Sequence, residues 1–204
     1  MRRKPSIGIL ALGAWNRRSV ISALERAGAG AAIVDERASL ERLDGLVLPG
    51  VANVGFLARE LDARGLREDL RGALVAGLPA LGICAGYQLL FEGSDEAPGV
   101  RGLGAIRGVV RRLRGPKTQH IGWNRVLPVG RGDVDEGWAY FAHAYAPESA
   151  VEGALATTVY GGRFTSVVRA NNVRGVQFHP ERSGAYGARL LRAFVVSCEA
   201  VYVG

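Results

Sequence analysis

Leu81-Gly82-Ile83-Cys84-Ala85-Gly86-Tyr87-Gln88 is the stretch on which the fold turns. The apolar run over residues 79–83 predicts a buried strand, and residues 85–91 carry helical spacing, so Cys84 falls on the turn between them. A strand passing directly into a helix is a β/α unit, and its repetition means a parallel sheet covered by helices on both faces. Upstream, residues 7–12 predict a strand and 17–27 an amphipathic helix ended near Gly28. Residues 31–34 and 46–48 predict short buried strands, and 56–63 and 66–76 helices, with Gly77 as the stop of the second. From about Gly102 the texture changes. Strands are expected over 109–113, 122–127, 138–142, 154–160, 163–169 and 173–178, many of them parted by Gly, Pro or Asn. Gly161-Gly162 suits a hairpin turn, and residues 187–196 predict a closing helix. No repeat, low-complexity segment or linker divides the chain. The expectation is one α/β domain over residues 1–204, a mostly parallel central sheet flanked by helices, with additional antiparallel strands in the second half.

Composition narrows the function classes. At 204 residues, 48% apolar and 22% charged, the chain can fill one core and does not read as disordered. No secretory or transit segment is visible, and no apolar run is long enough to span a bilayer, so a cytoplasmic protein is expected. The two cysteines, Cys84 and Cys198, sit in such different contexts that two free thiols are expected rather than a disulfide. The formal charge of +7 comes almost wholly from arginine, with Lys4 and Lys117 the lysines. The arginines are spread along the chain, and Arg111, Arg112 and Arg114 form the one local cluster. A basic stripe with interleaved aromatics is missing, so no nucleic-acid partner is expected. A basic face for a phosphorylated substrate or an acidic partner protein stays open.

The glycines around Cys84 give its chemistry. A sharp strand-to-helix turn presents its middle side chain on a strained backbone, and flanking glycines remove the Cβ atoms that would clash. Backbone N–H groups at the start of the helix favour thiolate over thiol. The N–H of Ala85 would face an oxyanion formed on a carbonyl attacked by Cys84. Taken alone, Cys84 has a second reading as a small buried apolar residue, which the pattern favours less. Cys198, in Phe194-Val195-Val196-Ser197-Cys198 and without glycines, reads only that way.

A nucleophile of this kind needs a base and a group to orient it. Of the three histidines, His120, His143 and His179, the last stands in Gln177-Phe178-His179-Pro180-Glu181, just past an apolar strand. In extended backbone Glu181 lies on the same side as His179, with Pro180 fixing φ between them. The carboxylate would select the imidazole tautomer and stabilise the imidazolium. Cys84, His179 and Glu181 form the expected triad.

Together G-x-C-x-G and His-x-Glu resemble the class I (triad) glutamine amidotransferases. Leu48-Pro49-Gly50-Val51 and the stretches 82–88, 93–100, 119–124 and 178–184 are similar to the glutaminase subunits of imidazole glycerol phosphate synthases. His120-Ile121-Gly122-Trp123-Asn124, Ala156-Thr157-Thr158 and Phe164-Thr165-Ser166 are the parts that point to that branch. The resemblance implies that Cys84 attacks the side-chain amide of glutamine, that His179 protonates the departing ammonia, and that water then releases glutamate from the thioester. It implies an oxyanion hole from Ala85 and the Gly50-Val51 loop, and a glutamine pocket from Gln88, Glu96 and main chain at Ala144 and Tyr145. It implies no cofactor and no metal. Ammonia would pass to a cyclase subunit, a (β/α)₈ barrel, in a heterodimer serving histidine biosynthesis. Asn16, Trp123, Tyr140 and Arg182 would lie near that interface, and glutaminase activity of the chain alone would be weak.

Two departures from the family pattern stand out. Ala52 replaces a second glycine two residues after that of Pro-Gly, which would restrict peptide flips in the oxyanion loop. The first loop, Ala11-Leu12-Gly13-Ala14-Trp15-Asn16, lacks the usual Gly-x-Gly-Asn run and adds a large apolar group. Two other readings compete: a triad glutaminase supplying a different synthase, such as pyridoxal phosphate synthase, and a catalytically silent regulatory subunit.

Overall fold

A computed structural model of the chain describes residues 3–13, 15–35, 40, 42–115, 117–130 and 134–199. The first half runs β1 (Ser6–Leu10), α1 (Arg17–Arg26), β2 (Gly30–Val34), β3 (Gly45–Gly50), α2 (Val54–Ala63), α3 (Arg67–Val75), β4 (Ala80–Cys84) and α4 (Ala85–Leu89). The second half runs β5 (Gly93–Ser94), β6 (Val109–Arg112), β7 (His120–Pro128), β8 (Gly137–His143), β9 (Tyr145–Pro147), β10 (Ala154–Val159), β11 (Arg163–Ala170) and β12 (Val173–Val176). A 3-10 turn (Pro180–Arg182) and α5 (Gly184–Glu199) follow.

Nine strands make one sheet in the order β2-β1-β3-β4-β12-β11-β10-β7-β8. Pairing is parallel from β2 through β12 and antiparallel from β12 outward to β8. The central strands β3 and β4 are buried at every position, as continuous apolar runs covered on both faces must be. On one face α1 and α5 bring Val20, Leu24, Leu191, Phe194 and Val195 against Ile7, Ile9, Val47 and Phe178. On the other, α2, α3 and α4 bring Leu57, Leu61, Leu70, Tyr87 and Leu89 against Leu10, Leu46 and Leu48. A three-stranded sheet, β5-β6-β9, flanks the main one. Among the described residues no helix is long and apolar enough to cross a membrane.

Every expected element is present, with shifted ends, but β2, expected to be buried, is exposed at Gly30, Ala32 and Ile33 because it is the edge strand of the sheet. The helix after Cys84 stops at Leu89 rather than Phe91, and the strand expected over 173–178 ends at Val176. Gly161 has φ 66 and turns β10 into β11, as the Gly-Gly pair predicts. The largest correction concerns His179 to Glu181. Extended backbone holds only at His179 (φ −97, ψ 97), and Pro180 begins a 3-10 turn that contains Glu181. Proline's fixed φ suits the first position of a helical turn as well as a strand, and here the turn wins. Glu181 reaches the imidazole by curling back rather than by sharing a strand face.

Candidate active site

Cys84 ends β4 with φ 53 and ψ −110, one of two described non-glycine residues, with Asn171, at positive φ. Such a conformation costs about 1–3 kcal/mol and persists only where the surroundings impose it. Here they do. A Cβ on Gly86 would stand 1.7 Å from the Leu48 carbonyl oxygen, and one on Gly82 would stand 2.7 Å from Cα of Tyr87. Neither glycine has a positive φ. They are required because α4 lies directly on the neighbouring backbone.

His179 follows β12, which pairs in parallel with β4, so base and nucleophile leave adjacent strands at the same end. Imidazole Nδ1 and Glu181 Oε1 are 2.9 Å apart, and both side chains are almost wholly buried. Burial opposes a charge on His179, but its hydrogen bond and charge interaction with Cys84, and those with Glu181, outweigh it and raise its pKa to about 10. The neighbouring Cys84 and Glu181 thus favour the imidazolium form of His179. Ser183 fixes the turn. Its hydroxyl donates to the His179 carbonyl (2.6 Å) and accepts from the Tyr140 N–H (3.0 Å), while the His179 N–H donates to the Tyr140 carbonyl (2.9 Å). Sequence reading missed Ser183, and nothing in His-x-Glu signals it.

The other expected site residues gather around this pair. Gly50 is in register with Cys84 across β3 and β4, so the Val51 loop begins beside the nucleophile, with Ala85 on its other side. Ala52 has no positive φ and packs against the apolar cluster under α2, so in this conformation it carries no backbone strain. Glu96 accepts from the Val54 N–H (2.8 Å) at the start of α2, which Asn53 caps. Gln88 is buried, and its Nε2 donates to the Tyr145 carbonyl (2.7 Å) and to Gln177 Oε1 (3.2 Å). The Ala144 carbonyl accepts from the Leu113 N–H (2.9 Å), and that of Tyr145 also faces His143 Nδ1 (2.8 Å). Both carbonyls thus have protein partners already.

On the outer face, Trp123 and Tyr140 are cross-strand partners in edge contact, their rings 6.2 Å apart. The Arg182 guanidinium lies 4.1 Å over the Tyr140 ring. Ile121, Trp123 and Trp138 are 55–62% exposed around them, so three of the four expected interface residues form one patch. Asn16 is exposed at the start of α1, which packs on the 3-10 turn. Trp15 instead leans on the apolar core, with Arg17 5.9 Å over its ring. Cys84 and Cys198 are both free and buried, and burial pushes the Cys198 thiol up to about 12.

The chain is similar to known proteins over most of its length. The family model Glutamine amidotransferase class-I matches residues 12–198. The imidazole glycerol phosphate synthase subunit HisH of Methanothermobacter thermautotrophicus is 41% identical over 194 residues, covering 93% of this chain and 97% of its own. The protein of the same name from Deinococcus radiodurans is 39% identical over 203 residues, covering 95% and 94%. A crystal structure of a glutamine amidotransferase superposes with a TM-score of 0.78 over 95% of this chain and 98% of the other, at 26% identity.

Proposed function

The chain belongs to the class I glutamine amidotransferase family, and from that premise we propose that it is the glutaminase subunit of an imidazole glycerol phosphate synthase. The observation that carries the chemistry is the His179–Glu181 contact of 2.9 Å behind a cysteine held at φ 53. The Cys84 thiolate attacks the side-chain carbonyl carbon of glutamine. The oxyanion is stabilised by N–H groups of Ala85 and the Gly50-Val51 loop, which act on charge present only after attack. His179 gives its proton to the amide nitrogen, the C–N bond breaks, and ammonia leaves with a thioester on Cys84. Water then adds with His179 as base, releasing glutamate and restoring the thiol. Glu181 keeps the imidazole oriented through both proton transfers. Glu96 serves the substrate ammonium, with Gln88 beside it.

The relatives are named as subunits, and a partner subunit goes with that reading. We take it to be a cyclase of (β/α)₈ form that uses the ammonia to make imidazole glycerol phosphate and an aminoimidazole carboxamide ribotide in histidine biosynthesis, in the cytoplasm. The exposed Trp123–Tyr140–Arg182 patch beside the 3-10 turn supports docking on this side. Cys84 is only 4% exposed, in keeping with a site that turns over slowly until a partner opens it. The test pairs the chain with its cyclase. Cys84→Ala should abolish synthesis from glutamine and leave synthesis from ammonium salts intact. Undiminished use of glutamine by that variant would overturn the mechanism.

A further inference from the structure

One carbonyl, that of Tyr145, fixes the direction of a whole chain of side chains. A carbonyl oxygen only accepts, so its two partners must both be donors. One is His143 Nδ1 at 2.8 Å, and the other is the amide nitrogen of Gln88 at 2.7 Å. With its N–H group on Tyr145, Gln88 also donates to Gln177, which must answer with its oxygen (3.2 Å). Gln177 is fully buried, and its nitrogen is therefore turned to the Cys84 sulfur at 3.8 Å. The same logic runs the other way. His143 Nε2 must accept from His120 Nδ1 (3.1 Å), and His120 Nε2 must accept from the Asn124 amide (3.1 Å), which also donates to the Val159 carbonyl (3.0 Å). A flipped amide anywhere would set donor against donor or leave a buried polar group unpaired.

We propose that Gln177 is a positioning residue for the nucleophile, holding an N–H on the Cys84 sulfur, its amide locked in that sense by the one-way chain through Gln88, Tyr145, His143 and His120. The proposal rests on Cys84 being the nucleophile. A thiolate accepts such a bond better than a thiol does, so the contact favours the reactive form. It is also aimed: with His179 on the sulfur as well, two donors narrow the directions in which Cys84 can point. The histidine pair is suited to a lock because it works only uncharged. A proton on either ring would place N–H against N–H, and burial lowers the pKa of His120 to about 4 and that of His143 to about 3. The titratable groups bearing on Cys84 are thus His179, with Glu181 behind it, and this neutral pair at one remove.

The test reads Cys84 directly. The rate of Cys84 alkylation by iodoacetamide, followed on its own peptide by mass spectrometry, is measured against pH in the full chain and in Gln177→Met. Methionine keeps the length and removes the donor, so the midpoint should rise by about one pH unit, the scale of one hydrogen bond to an ion. A folded Gln177→Met chain with an unmoved midpoint overturns the proposal. A wild-type measurement stands beside it, in case the variant fails to fold. The Gln177 side-chain amide, observed by NMR in chain labelled at glutamine nitrogen, should shift with the same midpoint as alkylation. A Gln177 amide resonance that stays flat through that transition also overturns it. Neither readout uses glutamine or a partner, so failure here and failure of the proposed function are separate results.

Discussion

Cys84 shows how a single residue can be held by what its neighbours lack. Its φ of 53 is imposed by a turn that closes only because Gly86 lets α4 touch the Leu48 carbonyl. Gly86→Ala should therefore cost at least about 3 kcal/mol, the upper end of ordinary overpacking, because its Cβ meets backbone that cannot rotate away. Urea unfolding measures the loss, and a cost under about 1 kcal/mol would show that α4 can lift off β3 freely. Glutaminase activity should fall with it, since displacing α4 moves the Ala85 N–H. The proposed triad could be picked out at this scale because the chain has only two cysteines and three histidines, and one of each stands in a distinctive local pattern. Gln177 was not. A glutamine at the end of an apolar strand has no distinctive pattern, and its meaning comes from Gln88 and Tyr145, which only the folded chain brings to it.

The hairpin of β7 and β8 carries a buried polar pair. His120 lies stacked between Phe141 and Tyr160, ring centroids 4.6 and 4.2 Å away, and pairs with His143. Both rings have their pKa lowered by burial, to about 4 and about 3. As pH falls from the ordinary histidine value of 6.5, the unfolded chain takes up protons that the folded chain refuses, so stability is lost over that window. His179 runs the other way: raised to about 10, its contribution is fully present below pH 6.5 and lost as pH rises through 10. Thermal midpoints should thus fall from pH 6.5 toward pH 4. His120→Phe, which keeps the stack and removes one titrating ring, should flatten that slope, and an unchanged slope would show that the pair does not set acid stability. The centre of the parallel half was readable because β3 and β4 are continuous apolar runs buried on both faces, and each precedes a helix. The flanking sheet was not, since β5 and β9, of two and three residues, are too short for any periodicity. The 3-10 turn at Pro180 was misread because proline's φ fits both strand and turn, and the Ser183 bonds that decide between them join distant segments.

Over the whole molecule, the apolar patch of Ile121, Trp123, Tyr140 and Trp138, with Arg182 stacked on it, stands on the side where the triad turn comes to the surface. Exposed aromatics with an arginine at their centre are the composition of energetically dominant contacts between subunits. Trp123→Ala should weaken binding of the proposed cyclase partner roughly 30-fold, about 2 kcal/mol. Because Trp123 is 55% exposed, the thermal midpoint of the isolated chain should hardly move. Titration calorimetry reads the first quantity and calorimetric melting the second, and an unchanged Kd would place the docking face elsewhere. The position of β12 has a consequence for how the protein comes into being. This strand sits in the middle of the sheet, between β4 and β11, yet it is the last to be made. Until the ribosome has released it, the sheet has an open slot where its parallel and antiparallel halves should join, and Cys84 has no imidazole beside it. On the proposed mechanism, a chain truncated before β12 lacks the imidazole that β12 carries to Cys84 and should not consume glutamine.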